Sequence, residues 1–192
     1  MKSGFFFAAL SLALAGSALA QAPAASDIQL TKITRTLVPT PEFNTGGGGP
    51  TFRTNGRDRW LAIDVDFTAL PDWTDEVTFK YFLLLNGKLL TGEVTHIHIL
   101  AGKELHSVMY VSPHDVAHLM GNRPLTTASV ENIAVQAVLQ GVVKDELSLN
   151  RARPQWYSAL QPLPGFLLNK NDTPFAPLYW DHYEQIKPVG TR

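Results

Sequence analysis

Six histidines hold most of this chain's capacity for chemistry, and five of them fall between His96 and His118. His96 and His98 form an H-x-H pair, a spacing that projects two imidazoles from one side of a strand. His114 and His118, at i and i+4, would share one face of a helix. These four could present four nitrogen ligands to a zinc-type ion, and His106 adds a further candidate on a neighbouring strand. No H-E-x-x-H motif accompanies them, and local sequence does not say whether the strand and helix faces meet. The expectation is therefore a cross-strand group of partly exposed histidines, with no bound metal and no cofactor.

Other chemistry is thinner. Asp64 and Asp66 lie two apart on one strand face, as paired carboxylates or metal ligands would, but the expectation is a solvated face. The chain has no Cys and no G-x-S-x-G, and the adjacent pair His106-Ser107 would point apart in a strand. No catalytic residue is expected. Trp60, Trp73, Trp156 and Trp180 could stack on sugar rings, and Trp60, Trp73 and Trp180 are the candidates for a binding surface. Gly46 to Gly49, followed by Pro50, lacks the strand, the helix and the Lys-Ser/Thr pair of a phosphate loop, so it reads as a mobile loop.

The elements that would position these residues are strands. Asn86-Gly87 between two apolar runs is the sequence signature of a type I′ hairpin. Before it, Val77, Phe79, Tyr81 and Leu83 alternate with Glu76, Thr78, Lys80 and Phe82; after it, Val94, His96 and His98 alternate with Thr95, Ile97 and Ile99. Ala101-Gly102 predicts a second turn, which makes 76–111 a three-strand meander. Leu61, Ile63, Val65 and Phe67 alternate strictly with Ala62, Asp64 and Asp66, the pattern of a half-buried antiparallel strand, with Trp60 on the polar face. Pro71-Asp72 should break that strand.

Further along, Ser112-Pro113 supplies an N-cap and a first helical residue, and Gly121 a C-terminal stop, for one short helix. Ile133, Val135, Ala137 and Leu139, then Gln140-Gly141, predict a second hairpin. The count is about seven strands: 28–38, 59–69, 76–85, 88–100, 103–111, 132–140 and 142–149. That predicts an all-β, immunoglobulin-like antiparallel sandwich of the fibronectin-like, disulfide-free variety.

Residues 1–20 read as a signal peptide. Lys2 is followed by an apolar run from Phe5 to Ala15, and Ala18-Leu19-Ala20 provides a cleavage site before Gln21. The mature chain is expected to be exported, without direct membrane insertion after cleavage. Residues 21–150 form the sandwich. Residues 151–192 form a Pro- and aromatic-rich C-terminal extension, expected as an extended strap packed on it, since so many rings would not stay in water, with a ring-rich surface offered to a partner as the competing reading. A formal net charge of −1 gives no electrostatic reason to expect nucleic acid as a partner.

The run from Leu167-Leu168-Asn169-Lys170 through Thr173-Pro174-Phe175-Ala176-Pro177-Leu178-Tyr179-Trp180-Asp181-His182-Tyr183 resembles the C-terminal signature of small exported proteins from Verrucomicrobia. Their relatives include an immunoglobulin-like protein encoded with type IV pilus assembly genes in mucin-degrading members. The likeness also takes in the Trp60-Leu61-Ala62-Ile63 strand and the meander. It implies a non-enzymatic protein of the periplasm, outer membrane or cell surface, whose partners are envelope or pilus-associated proteins. It brings no catalytic residues with it.

Overall fold

The architecture is a two-strand ribbon folded across its middle. A computed structural model of the chain describes residues 27–43, 59–121, 123, 125–150 and 154–188; the expected signal peptide and the Gly46–Gly49 loop lie outside these. The ribbon consists of β2 (Arg59–Leu85) and β3 (Lys88–Val111), paired antiparallel. Asn86 and Gly87 join them with φ of 50° and 71°, the left-handed pair that a type I′ turn requires. β1 (Ile28–Pro39) pairs with the first half of β2, while β4 (Val130–Leu139) pairs with the second half and carries β5 (Val142–Ser148) on its far side.

Two expected breaks prove to be the fold of the ribbon instead. Pro71-Asp72 does not end a strand, and Ala101-Gly102 is not a turn. Ala69 pairs with Gly102, and the β2–β3 register shifts on both sides of that pair. An irregularity of this kind leaves residues unpaired and bends the strand without ending it, and it accommodates a proline, which has no N–H to donate. Four of the seven expected strands are thereby the halves of two long ones. The bend lays the two halves face to face. Phe67 from one half meets Phe79 from the other at 4.8 Å between ring centroids, and the Tyr81 hydroxyl donates to Ser107 Oγ at 2.8 Å.

The core between the layers is the alternating set that the sequence marks. Leu61, Ile63, Val65 and Phe67 from one layer and Val77, Phe79, Tyr81, Leu83 and Leu85 from the other are all buried. The result is an all-β immunoglobulin-like sandwich with no barrel closure, in which both layers share the same two strands. The helix α1 (Pro113–Met120) forms where its caps predict, with Ser112 accepting from the Asp115 N–H and Gly121 in the left-handed conformation. No helix among the described residues is long and apolar enough to cross a membrane.

The C-terminal segment seals the outer edge of β3. Its strands β6 (Pro162–Pro164) and β7 (Leu168–Asn169) pair with Leu89–Thr91 and with Met109–Tyr110. Between them, the Ile97 N–H donates to Gln185 O and the Lys187 N–H to Thr95 O, at 2.9 and 2.8 Å. An unpaired edge invites another chain to add a strand, and here the chain's own terminus occupies that position. The segment also covers faces. Tyr157 stacks on Phe82 at 3.8 Å on the outside of one layer, and Phe175 stacks on Tyr110 at 4.6 Å on the outside of the other.

Candidate functional site

The histidines expected to gather do not. His96 is 1% exposed and faces the core, whereas His98 is exposed and lies against Trp73, with ring centroids 5.4 Å apart. The cause is backbone geometry. His98 has a φ of 58°, so the alternation of β3 reverses there and Ile99, three residues after His96, is the next buried side chain. The H-x-H pair therefore straddles the strand. His114 and His118 are exposed on α1, which follows the opposite end of β3.

His96 belongs instead to a buried chain of hydrogen bonds. Tyr81 O–H donates to Ser107 Oγ, which lies 2.8 Å from His96 Nε2, and His96 Nδ1 lies 2.9 Å from Glu184 O. With Ser107 donating to Nε2 and Nδ1–H donating to the carbonyl, every group is satisfied with the imidazole neutral. Burial holds the His96 pKa down to about 4, opposed by hydrogen bonds to the Glu184 and Gln185 backbone, and drives the Tyr81 phenol far up. One neutral imidazole thus ties the two layers to the C-terminal segment.

A different set of donors converges on the outer face of the β1–β2–β3 layer. Asp64 and Asp66 project outward from β2, and His106, paired opposite Asp66 on β3, projects beside them. His106 Nδ1 lies 3.4 Å from Asp64 Oδ1 and 3.2 Å from Asp66 Oδ1. The C-terminal segment brings His182, whose ring stacks on His106 at 3.9 Å, and Tyr183, whose hydroxyl donates to Asp64 Oδ2 at 3.0 Å. The ligand atoms of Asp64, His106 and His182 all fall within 4.8 Å of one another. Desolvation, then the Asp64 charge, pushes the Tyr183 phenol well up, and burial raises the Glu184 carboxyl against the pull of His106.

This face was expected to be solvated, and it is a second small core. Trp60 is buried against Tyr110 and Phe175, both edge-on at 6.4 and 5.7 Å, and its Nε1–H donates to Thr40 Oγ1. Trp60 is thereby removed from the candidate binding residues, because the terminus covers the face that alternation alone assigns to water. A groove of about 370 Å³ remains between β1 and the terminus, lined in part by Thr36, Asp64, Tyr110 and Tyr183. His182 and Tyr183 went unassigned in the sequence. The available signal was the pairing of an Asp-x-Asp face with a His-Tyr in the recognisable C-terminal run.

The exposed tryptophans are elsewhere. Trp73 is 53% and Trp180 80% exposed. Trp73 sits at the bend of the ribbon, directly opposite Leu100 and three residues after Leu70, and both leucines are also open to solvent. Beside it lies a groove of about 410 Å³ whose walls include Pro71, Asp75, Glu76, Leu139 and Gln140.

A family model matches residues 19–189 of the chain. A crystal structure of a protein from Akkermansia muciniphila, a Verrucomicrobium, aligns with a TM-score of 0.73 at 20% identity. The alignment covers 85% of this chain and 94% of that one. At that identity the likeness speaks for the fold, and it is consistent with the immunoglobulin-like sandwich. No curated protein matches the chain.

Proposed function

The chain belongs to the family whose model spans residues 19–189, and from that premise we propose that it is a non-enzymatic, exported binding or scaffold protein of the bacterial envelope, working alongside type IV pili. The observation that carries the reading is the apolar tip at the bend of the ribbon. Trp73 and Leu100 stand opposite one another on the two long paired strands, and both are more than half exposed, as is Leu70 just before them in the chain. Apolar side chains clustered in water mark contact sites, and an aromatic anchor flanked by aliphatic groups suits a protein partner. With the β3 edge sealed, such a partner docks on the tip and adds no strand there.

The test is crosslinking from the native envelope with the wild-type chain and a Trp73→Ser/Leu100→Ser variant. The wild type is expected to recover a defined envelope or pilus protein that the variant loses. Identical recovery by both, or no envelope protein from either, refutes the reading. One observation favours a second reading, carbohydrate binding. The groove beside Trp73 is lined by Asp75, Glu76 and Gln140, polar groups of the kind that bond sugar hydroxyls, although Asp75 already accepts from Trp73 Nε1–H and Glu76 pairs with Lys187. Retention on immobilised glycans that Trp73→Ala abolishes, with no protein crosslink, would select it.

A further inference from the structure

We propose that Asp64, His106 and His182 form a binding site for one divalent transition-metal ion of the zinc class, which fastens the C-terminal segment to the outer face of the sheet. The tip and its partner play no part in this inference.

Three features carry it. The first is the donor set. Two imidazole nitrogens and a carboxylate oxygen suit zinc and its late first-row neighbours, whereas calcium and magnesium favour all-oxygen sets. The second is the state of the atoms. Asp64 Oδ1 and His106 Nδ1 are shielded from solvent and have no hydrogen-bond partner among the described residues, although they lie 3.4 Å apart. Their separation would permit a hydrogen bond, but they are not aligned for one. Two ligands bound about 2.0–2.1 Å from a tetrahedral zinc ion stand roughly 3.4 Å apart, so a shared third body accounts for the distance and the misalignment together.

The third feature is support around the site. Tyr183 donates to the other oxygen of Asp64, leaving Oδ1 as the free donor. Ligands held by neighbouring hydrogen bonds in this way are oriented before the ion arrives. Asp66 Oδ1 lies 3.2 Å from His106 Nδ1, as an adjacent carboxylate or a fourth ligand. The Glu184 N–H, two residues beyond His182, donates to His106 O at 3.2 Å, which holds the terminus in place from the other side.

The consequence is a cross-link. β2, β3 and the terminus each contribute one ligand, so binding joins positions 64 and 182, which are far apart in the chain. The experiment uses untagged, metal-stripped chain titrated with zinc by calorimetry, with limited proteolysis of the same samples. The wild type is expected to bind one equivalent at micromolar protein and to resist cleavage within 154–188 when loaded. His182→Ala, at an exposed position, keeps the wild-type circular dichroism spectrum and loses both effects. His114→Ala/His118→Ala keeps both. No zinc heat from the wild type overturns the proposal. So does unchanged binding by His182→Ala, or equal binding of calcium by the wild type and His182→Ala, which would mean the carboxylates act without the imidazoles.

Discussion

Lowering the pH should destabilise this protein through His96, by an amount that the structure sets. The folded state holds His96 neutral with a pKa of about 4 because it is buried, while the unfolded chain protonates it near 6.5. A depressed folded value means the stabilisation is fully present above pH 6.5. It is lost as the pH falls toward 4, because the unfolded state takes up the proton and the folded state does not. Between pH 7 and pH 4.5 the difference integrates to about 2 kcal/mol, or a fall of roughly 1 M in the urea midpoint. The assay is urea unfolding by fluorescence at both pH values, for wild type and His96→Gln, with EDTA in every sample. The variant cannot titrate at this position. It should be less stable at pH 7, having lost bonds to Ser107 and Glu184, yet lose about 2 kcal/mol less than wild type on acidification. The Glu184 carboxyl, raised by burial, acts in the opposite sense in both proteins and largely cancels in the comparison. Equal losses for the two proteins would refute the claim that His96 is held neutral by burial.

Three other outcomes are expected. Trp60→Ala should cost about 3–5 kcal/mol in chemical denaturation, while Trp180→Ala, at a position 80% exposed, should stay within about 0.5 kcal/mol of wild type. Gly92→Ala should destabilise by about 1–3 kcal/mol and speed proteolysis in 160–170, because the added Cβ would stand 2.6 Å from Leu167 Cβ and 3.2 Å from its carbonyl oxygen. Ser112→Ala removes the acceptor for the Asp115 N–H and should lower the thermal midpoint by an amount equivalent to about 1 kcal/mol.

Local order was legible in the residues themselves. Asn86-Gly87 makes its hairpin, and Ser112-Pro113 and Gly121 bound their helix. The period-two runs at Leu61–Phe67 and Val77–Leu85 bury the side chains they mark. These signals are short-range: φ preferences, caps and alternation act within a few residues, so sequence alone determines them. It also determined that a cysteine-free chain must hold together by burial.

Tertiary structure decided the rest. Pro71 and Gly102 look like strand ends, but each lies in a strand paired across the ribbon, so together they make a bend. Trp60 and Asp64 alternate outward, yet which face meets water depends on a terminus more than a hundred residues away. His96 and His98 share a spacing that a single left-handed residue undoes. Alternation divides side chains between two faces, but it carries no information about what later covers either face. That depends on contacts between distant segments, and such contacts bring Asp64, His106 and His182 together.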